Sequence, residues 1–503
     1  MEKIKVYKKE IQFHLLLNIF VALFITIACY VHVPFGTVKA FFIYVIHFLL
    51  LQFSVFGFIY ILSLFKRVFI LLFPILFLIC ACLSFWVYTQ DISIDFGMIQ
   101  AISETNLDIA VDVFSWLFLI YILLAMLAVF IILKTYTKLK KNTIKSPLFV
   151  LSILGIITFF MVENYRFGAL KRRLPYSAFF SVKQYLAKAD LILEDVDKHI
   201  VSTQDDLHIV FVLGESVRAD HLSLNGYHRK TTPLLEHQKN IISYKNIYTP
   251  LTYTAISVPQ ILTDKSIIDT LNTATSLYNV LNKAAFKTTW IGNQSLEKSY
   301  KDIVNTNDKI QIIDKFHSVL SFKKEKDLEI LNNIDLTKNF KGNKITTLHM
   351  IGSHWYYNSR FDENSTVYKP IVTSKYVGSS SKTALINSYD NTILYLDSFL
   401  NKIIEDLKKS SKNTILIYLS DHGEILGEDG KWFHPQKHKA SENPAMLVWY
   451  SENFKQKNPK KVENLNLNKN NSISTDFLFY SILDLSEIKG FEYPKESSIF
   501  HFQ

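Results

Sequence analysis

His208-Ile209-Val210-Phe211-Val212-Leu213-Gly214-Glu215-Ser216 is the stretch on which the reading of the polar half of this chain turns. It is a short apolar run that stops at a glycine and a carboxylate, the pattern of a strand rather than of a helix. Three similar runs follow at Thr288–Ile291, Ile345–Ile351 and Thr414–Leu419, each bounded by Gly, Ser, Asp or Asn. Helical stretches such as Thr275–Ala285 and Ser381–Asp406 lie between them. Alternating strands and helices predict a mostly parallel sheet with helices on both faces, and such sheets keep their chemistry at the carboxyl ends of the strands. The Lys/Asn-rich stretch 455–472 reads as a solvated loop.

The N-terminal third is a different kind of sequence. The chain has 503 residues, 49% hydrophobic and 20% charged. Residues 1 to about 165 are mostly apolar runs. Five of these are long enough to cross a bilayer, which takes about 20 residues per helix: Ile11–Val31, Ala40–Phe65, Val68–Tyr88, Val113–Leu133 and Pro147–Val162. Lys3, Lys5, Lys8 and Lys9 precede the first, Lys66 and Arg67 separate the second and third, and Lys134 to Lys145 separate the fourth and fifth. Placing every basic loop in the cytoplasm puts the N-terminus inside and the C-terminal half outside. The expected domains are 1–165, five membrane helices; 166–206, a linker and juxtamembrane helix; and 207–503, the catalytic domain.

A net charge of +10 fits work beside anionic lipid head groups. The Lys and Arg residues are dispersed and accompany no nucleic-acid-binding motif, so no nucleic-acid partner is expected. The spans carry His14 and His47 but almost no Asp, Glu, Lys or Arg to mark an ion path, which argues against a transporter. Cys29, Cys80 and Cys82 all fall in apolar runs. The polar half therefore has neither a disulfide nor a thiolate metal site, and any metal there sits on oxygen and nitrogen.

Potential ligands collect where the strands end: Glu215, then His349 and His354, then Asp421 and His422, with His434 and His438 further on. A carboxylate, an Asp-His pair and further histidines suit zinc. The chain has no Cys-x-Pro-x-Arg, so a formylglycine nucleophile is excluded. Hydroxyls crowd Tyr248-Thr249-Pro250-Leu251-Thr252-Tyr253-Thr254-Ala255-Ile256-Ser257-Val258-Pro259, and one of them, activated by metal, is a candidate nucleophile at phosphorus. The residues alone do not choose among them.

Several motifs occur together and in order: Gly214-Glu215-Ser216-x-Arg218, Leu224-Asn225-Gly226-Tyr227-x-Arg229-x-Thr231-Thr232-Pro233, Ala255-Ile256-Ser257-Val258-Pro259, Trp290-Ile291-x-Asn293-Gln294, His349-x-Ile351-Gly352-Ser353-His354 and Ser420-Asp421-His422-Gly423-Glu424. As a set they resemble the phosphoethanolamine transferases, which include lipid A-modifying and colistin-resistance enzymes. The resemblance implies an alkaline-phosphatase/sulfatase-like domain with Thr254 as nucleophile. It implies zinc on Glu215, Thr254, Asp421 and His422, with a second zinc possible in that family. His354 and His434 fall where the family binds phosphate or that second metal, and Lys298 lies near a substrate-binding lysine. Glu104 and Thr105 belong to a segment similar to a lipid-substrate motif, in which Ala101 stands where many relatives have Asn. The family's soluble domain usually carries disulfides, and this chain has none.

The activity so implied takes phosphoethanolamine from phosphatidylethanolamine, through phosphothreonine, to lipid A or the core of lipopolysaccharide or lipooligosaccharide, in a monomeric enzyme. The alternatives weighed are a phosphoglycerol transferase of the same superfamily and a non-catalytic membrane scaffold.

Overall fold

The computed structural model describes residues 2–90, 94–95, 98–99, 116–139, 144, 146–166, 169–186, 191–196, 199–269, 273–315, 317, 321–338, 340–375, 377–434 and 437–501. The chain divides into two compact units. The first comprises residues 1–188 with the short stretches 316–323 and 373–379; the second holds the remainder.

Among the described residues of the first unit, five helices are long and apolar enough to cross a membrane: Lys8–Tyr30, Val38–Ser63, Lys66–Thr89, Trp116–Thr137 and Pro147–Tyr165. These coincide with the five expected spans, and the chain is a multi-pass membrane protein. Helix–helix association in lipid relies on close packing rather than on the hydrophobic effect, and small residues permit it. The second and fifth spans use Gly57 and Gly155 in this way. A Cβ on Gly57 would stand 2.5 Å from the Ser152 carbonyl, and one on Gly155 2.5 Å from that of Phe53. Buried polar groups pair within the unit: Glu10 accepts from the Tyr60 hydroxyl at 2.6 Å and from Ser146 at 3.0 Å. Of the basic cluster after the fifth span, Lys171 lies 3.7 Å from Glu163 and Arg173 stacks over the Tyr30 ring.

The second unit is built on a seven-stranded sheet. In chain order its strands are β1 (Leu207–Gly214), β2 (Ile241–Tyr244), β3 (Lys287–Gly292), β4 (Lys309–Ile312), β5 (Lys344–His349), β6 (Asn413–Ser420) and β7 (Met446–Tyr450). Across the sheet they lie β2-β7-β6-β1-β5-β3-β4. β6, β1, β5, β3 and β4 are parallel, while β7 runs antiparallel to both neighbours. All eight residues of β1 and of β6 are buried, because helices cover both faces. Alternation sends Ile209, Phe211 and Leu213 into one core and Val210 and Val212 into the other. The long helix Lys382–Leu407 closes the second core with Tyr389, Ile393, Leu396 and Phe399. This is the expected fold class, a central mostly parallel sheet with helices on both sides.

The expectation of a loop at 455–472 is overturned. Glu452–Lys457 and Pro459–Asn468 are helices. Val462 and Leu465 point into the core, and the inward asparagines are satisfied: Asn464 and Asn468 donate to the Phe500 and Ile499 carbonyls. An amphipathic helix can bury asparagine where backbone carbonyls wait for a donor.

Candidate metal and nucleophile site

The two central parallel strands β1 and β6 pair in register from Leu207–Asn413 to Gly214–Ser420, so both end at the same edge. Glu215 follows one and Asp421-His422 the other. Gly352, just beyond β5, packs against this edge at φ +51°, and a Cβ there would meet the Glu215 carbonyl at 2.6 Å. Ser216 takes φ 60°, a left-handed conformation that costs a non-glycine residue about 1 kcal/mol or more and is found where surrounding contacts enforce it. Those contacts are present: Ser216 N donates to Asp421 Oδ1 at 3.2 Å and its hydroxyl to Glu215 Oε1 at 2.8 Å.

Thr254 opens the helix Thr254–Ile261 and is 8% exposed. Its hydroxyl donates to Glu215 Oε2 at 2.9 Å. Its neighbours in the hydroxyl-rich run are engaged elsewhere. Thr249 Oγ1 accepts from Leu251 N; the Ser257 hydroxyl donates to the Tyr253 carbonyl at 3.1 Å and lies at the longer distance of 3.5 Å from Asp421 Oδ2. The position at a helix N-terminus favours negative charge on whatever Thr254 carries.

His422 is completely buried, and its Nδ1 donates to the Gly423 carbonyl at 2.8 Å. That leaves Nε2 as a lone pair, buried without a hydrogen-bond partner, 3.4 Å from Glu215 Oε1 and 3.3 Å from Asp421 Oδ2. A neutral imidazole lone pair turned on two carboxylate oxygens is repulsive unless a cation lies among them. A tetrahedral zinc with ligand bonds of about 2.05 Å has ligand-to-ligand edges of about 3.3 Å, which is the spacing found here. The donor set therefore fits a zinc ion. Glu215, Asp421 and His422 form one group able to hold a metal; Glu215, His354 and His434 form a second; His422, Glu424 and His434 form a third.

Electrostatics agree with a cation site. Burial pushes the Asp421 carboxyl well up, and the adjacent Glu215 charge adds to this. Burial also opposes ionisation of Glu215, but the imidazoles around it, of which His434 is charged, and the Ser216 hydroxyl hold it below the usual carboxylate range. Burial lowers His422 to about 3 and His354 to about 4, keeping both available as neutral ligands. His434 differs: burial works against its charge, yet Glu424, with Oε2 2.7 Å from Nδ1, lifts it to about 9. Its ring centroid lies 4.1 Å from that of His422.

The structure thus gathers Glu215, Thr254, Asp421, His422, His354 and His434. It separates out His349, which is fully buried in the core against Trp290 and Tyr300. It also separates out His438, whose Nδ1 accepts from Ala440 N. Lys298 is half-buried at the start of the helix Lys298–Val304, four residues past Gln294, whose amide reaches Glu215 Oε2 at 3.4 Å. Glu104 and Thr105 lie outside the described residues. Sequence reading passed over Ser216, Gln294 and Glu424; each sits inside a quoted motif, and that adjacency was the available signal. The second quoted motif is structural. His221, Tyr227 and Arg229 all bind the buried Asp390 carboxylate, at 2.8, 3.1 and 2.8 Å, pinning the loop after β1 to the long helix.

Residues 208–488, more than half of the chain, match the sulfatase family model. The chain belongs to the sulfatase family. Within this sulfatase-family chain, residues 51–173 also match the model described as phosphoethanolamine transferase EptA/EptB, in agreement with the resemblance carried by the motifs. It is 34% identical over 257 residues to phosphoethanolamine transferase EptA of Helicobacter pylori, a match covering 50% of this chain and 49% of that protein. The chain thus spans about half the length of the curated relatives it matches. The soluble domain of lipooligosaccharide phosphoethanolamine transferase A from Neisseria meningitidis superposes with a TM-score of 0.55 at 27% identity, covering 62% of this chain and 97% of that one. The integral membrane form from Neisseria meningitidis covers 97% of this chain and 98% of its own, with a TM-score of 0.57 at 23% identity, and shows the same fold.

Proposed function

We propose that this protein transfers phosphoethanolamine from phosphatidylethanolamine to a lipid A or lipopolysaccharide-core acceptor, through a phosphothreonine at Thr254. The single observation that carries the reading is the Thr254 hydroxyl on Glu215 Oε2 at 2.9 Å, beside the Asp421-His422 pair. The names of the relatives supply the group transferred. The orientation proposed follows the basic loops, with the N-terminus cytoplasmic and residues 207–503 periplasmic at the inner membrane.

Glu215, Asp421, His422 and Thr254 Oγ1 would hold one zinc, and His354 and His434 stand ready for phosphate or for a second ion. When bound, zinc supplies Lewis acidity that lowers the pKa of the coordinated hydroxyl and offsets charge on phosphorus. The chain does the rest. Glu215 Oε2 orients the Thr254 hydroxyl, takes its proton as Oγ bonds to phosphorus and returns it when Thr254 Oγ leaves in the second step. Thr254 Oγ forms a bond to phosphorus as the bond to the diacylglycerol oxygen breaks, and His434, held charged by Glu424, protonates that oxygen. His354 donates Nδ1 to the Trp355 carbonyl at 2.6 Å, which leaves its other nitrogen a neutral lone pair suited to a second metal ion beside Glu215. In the second step the acceptor oxygen takes the phosphorus, Thr254 Oγ leaves, and the acceptor's proton returns to His434. The substrate bonds broken and formed are of one kind, so no further reactant is consumed.

Mass spectrometry of lipid A and core oligosaccharide from cells with the gene, without it and with Thr254→Ala tests this. A phosphoethanolamine increment only with the intact threonine supports it, and fragment masses name the acceptor. A phosphoglycerol adduct on Thr254, or no glycolipid change, refutes it.

A further inference from the structure

Beside the metal site the second unit carries a polar cleft of about 710 Å³, within the range of small-ligand sites. It shares its walls with the catalytic groups. The segment that bears Glu215 continues to Arg218 and Asp220, which line the cleft; Tyr248 lies six residues before Thr254; His438 and Lys439 follow His434 on the same loop. The walls are joined directly. Thr249 N donates to the Glu442 carbonyl, and Gly423, next to His422, donates to the Ser441 carbonyl, both at 2.9 Å. A Cβ on Gly423 would strike the carbonyl of Ala440, another wall residue, at 2.1 Å. The cleft is therefore one backbone layer from the metal ligands.

Its chemistry is specific. Arg218 is spent on Asp220 and Glu428, both at 2.6 Å. Lys245 and Lys439 are exposed, and among the described residues no carboxylate pairs with either. Two unneutralised ammonium groups in one lining favour an anion. In the same lining Tyr248 offers an aromatic face, 40% exposed. Glu442 Oε1 is buried without a hydrogen-bond partner, an arrangement that costs free energy until a donor arrives. Asn246 and Ser472 add neutral polar groups. Ammonium groups for a phosphate, an aromatic face for a sugar ring and a carboxylate for hydroxyls together describe a phosphorylated saccharide.

We propose that this cleft binds the phosphorylated sugar head of the glycolipid acceptor and holds it for transfer from Thr254. The proposal rests on the transferase reading above. Lys245 and Lys439 bind the acceptor's phosphate, Tyr248 stacks on the sugar, and Glu442 accepts from its hydroxyls.

The test uses the full chain in detergent micelles. Calorimetric titration with the bis-phosphorylated glucosamine disaccharide, made by deacylating lipid A, is compared for wild type, Lys245→Glu/Lys439→Glu and Lys245→Arg/Lys439→Arg. The expected result is a Kd raised at least tenfold by the Glu pair and nearly restored by the Arg pair, with the dephosphorylated disaccharide binding weakly throughout. Equal affinity for wild type and the Glu pair, or no saturable binding to wild type, overturns it. Transfer to lipid A is then assayed in the same preparations. Lysine-dependent binding without transfer by wild type removes the transferase reading and leaves the site; transfer whose acceptor KM ignores the lysines does the reverse.

Discussion

Thr254 Oγ1 donates to Glu215 Oε2 across 2.9 Å, although the two residues are 39 positions apart and come from a helix start and a strand end. Within the hydroxyl-rich run 248–257 it is the shortest hydroxyl contact to a site carboxylate, against 3.5 Å from Ser257 to Asp421. Thr254→Ala should lower phosphoethanolamine transfer by at least about 10³-fold, the scale of losing a nucleophile, and no phosphorylated peptide spanning 254 should be found. Metal content should change little, since Glu215, Asp421 and His422 remain. Turnover within tenfold of wild type in this variant excludes Thr254 as nucleophile.

The orphaned His422 Nε2 between two carboxylates predicts a metal-dependent enzyme. Purified protein should carry zinc by elemental analysis. His422→Ala and Asp421→Asn should each strip most of it, and chelation should abolish turnover until zinc is restored. Full activity after exhaustive chelation contradicts the prediction.

Glu424 touches His434 at 2.7 Å and the Tyr357 hydroxyl at 3.1 Å, and acts as a positioning residue. Partners that orient a ligand or a proton carrier are worth about 10- to 100-fold. Glu424→Gln should keep the fold and the first metal but lower kcat by that factor with little change in KM. A KM effect of the same size with kcat intact would place Glu424 in substrate binding instead.

His349 sits in the apolar core with its pKa lowered to about 4 by burial. The unfolded chain takes up this proton near pH 6.5, the folded chain only near 4. Stability from this group is therefore present above 6.5 and is lost as pH falls from 6.5 towards 4, by an amount on the order of 3 kcal/mol. His349→Phe should flatten the acid limb of a stability-against-pH curve while transfer activity persists. An unchanged acid limb would show that His349 does not set it.

Asp390 is fully buried and binds His221, Tyr227 and Arg229. Asp390→Ala leaves those donors without their carboxylate, and breaking a buried pair costs about 3 to 5 kcal/mol. Thermal or denaturant unfolding should show a clear loss of stability. A shift below about 1 kcal/mol would mean that the clasp is dispensable.

Much of the molecule was legible beforehand because water and lipid enforce it. Five spans are long apolar runs because a bilayer leaves no other choice, and β1 and β6 carry the apolar runs Ile209–Leu213 and Ile415–Leu419 because both faces of a central parallel strand are covered. The Gly-Glu-Ser and Asp-His-Gly motifs at those strand ends marked the site's edge. Composition misled at 455–472, where Lys and Asn content concealed the inward spacing of Val462 and Leu465. The short edge strand Lys309–Ile312 and the antiparallel strand Met446–Tyr450 also went unread, since their pairing is fixed by neighbours far along the chain.

Residue pattern alone was enough to read a membrane half, a parallel α/β half and an oxygen and nitrogen ligand set without thiols. Which of the candidate ligands converge in space follows from the folded chain. His349 and His354 lie five positions apart, yet the strand directs one into the core, and the turn through Gly352 brings the other to Glu215. The resemblance pointed to Thr254, and the folded chain gives that residue the short 2.9 Å bond to Glu215, against 3.5 Å from Ser257 to Asp421. Such choices depend on side-chain direction and on partners tens to hundreds of residues away, and local sequence does not encode either until the sheet has formed.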